Sequence, residues 1–130
     1  MKIKFGVFIA VVFFCVLLGS ASTSFAQTDV VTGAYGEADV KAKDVVSAAK
    51  FAVKKGAAKE KATITLVTIK QARMQVVAGL NYEVCLDVNY KKAGKKAVHK
   101  YVKAVVYKNL KNVQSLTNWT LSSEPLECKD

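Results

Sequence analysis

From residue 38 to 53 the apolar positions fall at intervals of four and three. Ala38, Ala42, Val45, Ala49 and Ala52 recur in this way, with Val46 and Val53 beside them, which predicts one apolar helical face. Phe51 anchors the far end of that face. Glu37 and Asp39 lie near its start, Lys54 and Lys55 near its finish, and Gly56 follows, the charge and glycine polarity that a helix prefers. So much alanine on the buried side implies close packing, as when a sheet wraps around a helix. Residues 57–61 then read as a short basic loop. Beyond it the period changes. Ala62 to Met74, Leu80 to Tyr90, Ala97 to Lys108 and Gln114 to Leu121 are rich in β-branched and aromatic residues and read as an antiparallel meander. Within Ala62 to Ile69 the apolar set shifts from Ile64 and Leu66 to Val67 and Ile69, which predicts a bulge. One long helix followed by four strands, with a short segment before the helix to add a fifth, predicts an α+β fold with the helix on one face of a 4–5-stranded antiparallel sheet.

The least ordinary segment is Gln75-Val76-Val77-Ala78-Gly79, followed by Leu80-Asn81-Tyr82. It sits where the chain must reverse between two strands. Such turns are normally polar, so adjacent valines there point to a contact with another molecule. Gly79, without a side chain, can take a backbone angle closed to valine and lets a partner approach closely.

These residues have the form Gln-x-Val-x-Gly, and with Leu-Asn-Tyr they resemble the first inhibitory loop of the cystatins, inhibitors of papain-like cysteine proteases. About two dozen residues upstream, Ala48-Ala49-Lys50-Phe51-Ala52-Val53 is similar to the helix signature of plant cystatins, with Ala48 where a larger aliphatic residue is usual. The resemblance runs from about Gly33 to Trp119. It implies a cystatin-like wedge with three contact points on one edge: the segment before the helix, the first hairpin and a second hairpin.

Each contact maps separately onto this chain. Gln75, Val76, Val77, Ala78 and Gly79 match the first hairpin without gaps. Cystatins place a glycine about one and a half dozen residues before the helix phenylalanine, and Gly33 suits that distance to Phe51 better than Gly36. Residues 28–32 would then be a mobile trunk with Val30 and Val31 as its apolar side chains. The plainer reading is that both glycines keep a terminus flexible. At the second hairpin the chain departs from the family, because the Pro-Trp pair many cystatins carry there is missing. One count places the tip at Asn109-Leu110-Lys111-Asn112, with Leu110 and Lys111 as contacts and Leu116 and Trp119 on the closing strand, Trp119 mainly in the core. The other count makes Leu116 to Trp119 the loop and Trp119 a protease contact.

The beginning of the chain is of another character. Lys2 and Lys4 precede an apolar run from Phe5 to Leu18, and Ser24-Phe25-Ala26 has the small-x-small form of a signal-peptidase site, so residues 1–26 read as a secretory signal cleaved before Gln27. The run of about 14 residues falls short of the roughly 20 that span a bilayer, and stable membrane insertion after cleavage is not expected. Removing 26 of 130 residues leaves 104, enough for one domain, 27–130, with a single core. The signal holds two of the 20 basic residues and none of the 10 acidic ones, so 18 remain against 10, a net +8. Lys91, Lys92, Lys95, Lys96, Lys100 and Lys103 are the densest stretch. They straddle Ala93-Gly94, a strand-to-strand turn, and read as a solvated edge that deters edge-to-edge pairing. Arg73 is the sole arginine, which argues against nucleic acid as a partner.

After cleavage two cysteines remain, Cys85 and Cys128, and in an oxidising compartment such a pair normally closes. A catalytic thiol with His99 as base is the alternative, but a disulfide removes the nucleophile and no cluster of acid, base and nucleophile accompanies it. One histidine and two cysteines also lack metal-ligand spacing, so no metal and no cofactor are expected. Asn118-Trp119-Thr120 is formally a glycosylation sequon, closed to modification if Trp119 is buried. The resemblance implies a secreted (extracellular or periplasmic), monomeric inhibitor of papain-like proteases that acts by reversible occlusion and is not an enzyme. A cystatin-fold binding module without inhibitory action and a cationic surface-binding protein are the alternatives.

Overall fold

The computed structural model describes residues 33–128, so the signal segment and the trunk at 28–32 lie outside the described residues. The elements run β1 (Tyr35–Glu37), α1 (Lys43–Glu60), β2 (Thr63–Val77), β3 (Gly79–Lys91), β4 (Val98–Lys108) and β5 (Gln114–Ser122). The strands form one antiparallel sheet in the order β1-β2-β3-β4-β5, and the helix lies across one face. The sequence-predicted strands agree with the observed ones to within a few residues, and the segment before the helix supplies the fifth. No helix among the described residues is long and apolar enough to cross a membrane.

The helix differs from expectation at both ends. It begins at Lys43, so Ala38 and Ala42 precede it although they pack against the core. Glu37 belongs to β1, and Asp39 shapes the turn before the helix, its Oδ1 accepting from the Lys41 amide at 2.9 Å. Asp44 is the acidic residue of the first turn. At the other end Gly56 does not stop the helix, and residues 57–60 continue it instead of forming a loop. Lys61 ends it in the left-handed region (φ 50°), with its amide and that of Ala62 returning to Ala58 and Ala57 carbonyls. Phe51 therefore sits mid-helix. Gly56 has a packing role: a Cβ there would lie 2.2 Å from the Trp119 ring. The indole rests directly on the helix backbone, and its Nε1 donates to Glu60 Oε1 at 2.9 Å.

Bulges explain which residues face the helix. In β2 the register slips at Val67 and again at Lys70, so the inward set steps from Ile64 and Leu66 to Ile69, then to Ala72 and Met74. The first slip is where the sequence pattern predicts one; the second falls just beyond that window. In β5 a slip at Thr117 puts both Leu116 and Trp119 toward the core, although strict alternation would place them on opposite faces. Trp119 is 9% exposed, within a strand, which removes the count that made it a loop contact. Asn118 points the other way and is exposed, so burial of Trp119 does not close the sequon, contrary to expectation.

The opposite sheet face carries Glu83, Cys85 and Asp87, all buried. Cys85 is bonded to Cys128, which draws the chain after β5 across that face, and the Cys128 amide donates to Gln71 Oε1 at 3.3 Å. Glu83 lies 3.4 Å from Arg73 and 3.8 Å from Lys103. Asp87 faces Lys70 at 3.5 Å and His99 at 3.8 Å. His99 is an ordinary half-exposed strand residue, against the ring of Tyr101.

Candidate functional site

Antiparallel pairing carries the two hairpin tips to the same end of the sheet. Val77 pairs with Gly79 across Ala78, so the first reversal is as tight as the chain permits. Leu80 pairs with Lys108, which brings the start of the second reversal, residues 109–113, alongside the first. The amino-terminal segment arrives there too: Tyr35 pairs with Gln75, and the Gly33 amide donates to the Val76 carbonyl at 3.3 Å. Three segments far apart in sequence thus share one edge.

Gln75, Val76 and Val77 belong to β2 and only Ala78 is outside a strand, so the reversal is shorter than the five-residue loop read from the sequence. Gln75 acts as a bracket. Its Nε2 donates to the Gly33 carbonyl at 2.8 Å while its Oε1 accepts from Asn81 Nδ2 at 2.9 Å, joining the amino-terminal segment to both strands of the hairpin. Val76 is half-buried but outside the core cluster, and Val77 is 39% exposed. Neither packs beneath the helix.

Gly79 has φ +111°, as its position demands, but the close approach it permits is internal. A Cβ there would come within 2.4 Å of the Lys108 carbonyl and 3.0 Å of the Tyr107 ring, so the neighbour is β4 and not an external partner. Tyr107 also donates its hydroxyl hydrogen to the Ala78 carbonyl, at the turn itself. The first tip is therefore held from the second hairpin.

The second tip has its own scaffold. Asn109 Oδ1 accepts from the amides of Lys111 at 2.9 Å and Val113 at 3.0 Å, and Asn112 takes the left-handed conformation (φ 62°) that closes the turn. This asparagine frame stands where a Pro-Trp pair was missing. It leaves Leu110 81% exposed and Val113 59% exposed, an apolar pair that water would not select. Lys111 is exposed beside them. Lys108 lies 3.7 Å from Asp44 in the first turn of α1, which ties the tip's base to the helix start. Tyr82, beneath this region, has its phenol pushed up from the usual value, first by burial and then by the Asp44 carboxylate, and stays neutral at ordinary pH.

Between the two tips lies an open groove of about 310 Å³ lined by Val76, Val77, Gly79, Leu80, Lys108, Asn109, Leu110 and Asn112. Gly33, Gln75 to Gly79, Leu110 and Lys111 are brought to this one edge, and Trp119 is not. Sequence reasoning placed Asn109 and Asn112 at the second tip and Asn81 just after the first without giving them a bracing role, and it missed Tyr107. The two asparagines flanking Leu110-Lys111 were a legible turn signal; nothing in the sequence distinguished Tyr107 from any other strand tyrosine. Among the described residues this edge brings together no nucleophile, base or metal ligand set, and what it presents is apolar surface.

Comparison with known proteins agrees with this fold. A crystal structure of a salivary cystatin from the soft tick Ornithodoros moubata is similar with a TM-score of 0.58 at 22% identity, over 71% of this chain and 99% of that one. A crystal structure of Al-CPI is similar with a TM-score of 0.55 at 16% identity, over 69% of this chain and 100% of that one. At such identities the likeness concerns the fold. A search of curated proteins finds no match. Residues 37–121, well over half of the sequence, match SQAPI, described as aspartic acid proteinase inhibitor. The chain has the cystatin fold, one helix on a five-stranded antiparallel sheet, and belongs to the aspartic acid proteinase inhibitor family.

Proposed function

We propose that this protein is a secreted, monomeric, reversible and tight-binding inhibitor of papain-like cysteine proteases. The observation that carries the reading is the convergence of Gly33, the valine tip and the Leu110 tip on one edge, with large apolar side chains turned to solvent at both tips. Val77 and Leu110 would enter the apolar walls of the protease cleft, and the chain before Gly33 would continue along its non-primed side. Occlusion of this kind covers the catalytic thiol without offering it a well-placed peptide carbonyl. No covalent intermediate forms, and the inhibitor leaves intact. The tips are held before contact by Tyr107, Gln75 and Asn109, so docking costs little conformational entropy.

A second reading has a specific observation in its favour, since the matching family is described by aspartic proteinases. The same wedge would then enter a cleft whose catalytic groups are two carboxylates, and the exposed Lys111 beside Leu110 suits an acidic rim. Parallel titrations of papain and pepsin with the purified protein separate the two. Inhibition of papain alone supports the first reading, inhibition of pepsin alone replaces it with the second, and inhibition of neither leaves a cystatin-fold module with another partner.

A further inference from the structure

The end of the molecule away from the tips is built differently. From Val88 to Ser123 the sequence has no acidic residue, and its lysines crowd around the β3–β4 turn. That turn faces the end of α1 across an open groove of about 620 Å³, lined by Lys61, Lys91 and Lys92 together with Ala57, Ala62 and Ala93. Lys95 and Lys96 lie in the adjoining turn, where the Lys95 amide closes onto the Lys92 carbonyl at 3.0 Å. Elsewhere the basic side chains of the sheet are used internally: Lys70, Arg73, Lys103 and Lys108 each meet a carboxylate. Lys61, Lys91, Lys92, Lys95 and Lys96 make no ion pair among the described residues, and all five are exposed. Glu60, adjacent to Lys61, is occupied by the Trp119 indole.

We infer that this lysine-lined groove is a binding site for an acidic polysaccharide, a polymer carrying carboxylate or sulfate groups on successive sugars. Its size suits one or two sugar rings. The alanine methyl groups provide a shallow apolar surface for the C–H face of a ring, and the lysines meet anionic groups spaced along the polymer as point charges. A membrane surface fits less well, because the apolar residues here are alanines, too small to enter the acyl region. Nucleic acid fits less well too, because the groove has neither arginine forks nor an aromatic face for a base. Residues 79–91 of β3 separate groove from tips by roughly 40 Å at the usual rise per strand residue. A protein held by the groove therefore keeps its tips free, and this inference stands whatever the tips bind.

The test is direct binding of fluorescently labelled heparin and polygalacturonate, representing sulfate and carboxylate polymers, followed by anisotropy at low and moderate salt. Both or one should bind, and binding should weaken as salt rises. The triple variant Lys61→Gln/Lys91→Gln/Lys92→Gln should bind at least about tenfold more weakly, whereas Lys41→Gln/Lys50→Gln/Lys54→Gln, with the same change in net charge, should bind as the parent does. Equal loss in the two variants would reduce the effect to net charge and overturn the site. So would the absence of binding to either polymer, or equal affinity for duplex DNA or vesicles of anionic phospholipid. Protease titrations with saturating polymer present read the tips separately, so failure at one end cannot be mistaken for failure at the other.

Discussion

Tyr107 is the residue whose role is least expected from its position in an alternating strand. Its hydroxyl reaches the Ala78 carbonyl and its ring backs onto Gly79, so one side chain couples the two hairpins. Tyr107→Phe keeps the ring and deletes the hydrogen bond. One such bond contributes about 1 kcal/mol to the folded state, so the variant should melt roughly 4–8 °C lower and, with its first tip no longer held before contact, release a bound protease up to about fivefold faster. Stopped-flow dissociation beside a thermal scan checks this, and an unchanged release rate would assign the tyrosine to packing alone. Gly79 is unsuitable for such a test. Any side chain there meets the Lys108 carbonyl at a positive φ, so a substitution such as Gly79→Trp would disturb the hairpin pair itself. The valine tip itself was legible, because apolar residues at a reversal contradict what a solvated turn selects. The brace behind it was not, since a hydrogen bond between residues 29 positions apart leaves no local pattern.

Among the elements, the helix shows how one residue admits two readings. A glycine after two lysines is a common helix end, and Gly56 was read so. The structure instead uses it as a seat for the Trp119 indole, and only the tertiary contact decides between the two. The consequence is measurable. In an open helix Gly→Ala would stabilise by about 1 kcal/mol. Here the added methyl would meet a rigid ring, and overpacking of that kind costs about 1–3 kcal/mol, so Gly56→Ala should be destabilised in chemical denaturation. A more stable variant would show that the indole moves aside. The strands were legible almost to their ends, because alternation and turn chemistry are local. The bulges at Lys70 and Thr117 were not, yet the latter alone lets Leu116 and Trp119 share the core face.

At the scale of the whole molecule, the helix covers one sheet face and the Cys85–Cys128 bridge fastens the chain end to the other. The bridge closes a separation of 43 residues, for which loop entropy gives about 4 kcal/mol. Cys128→Ser should therefore lower the denaturation midpoint markedly, while at a temperature where the variant is still folded its inhibition constant should match the parent's, because the bridge lies away from the tips. A constant that worsens in the folded variant would link the covered face to the working edge. The proposed inhibition rests on the apolar edge that the two tips form. The most direct measurement is an equilibrium titration of active-site-titrated papain with the purified protein and with Val77→Asp/Leu110→Asp. Stoichiometric inhibition by the parent and a loss on the order of 100-fold in the variant are expected, since each substitution would bring a carboxylate into an apolar cleft. Papain unaffected by the parent, or equally inhibited by a folded variant, would contradict the account.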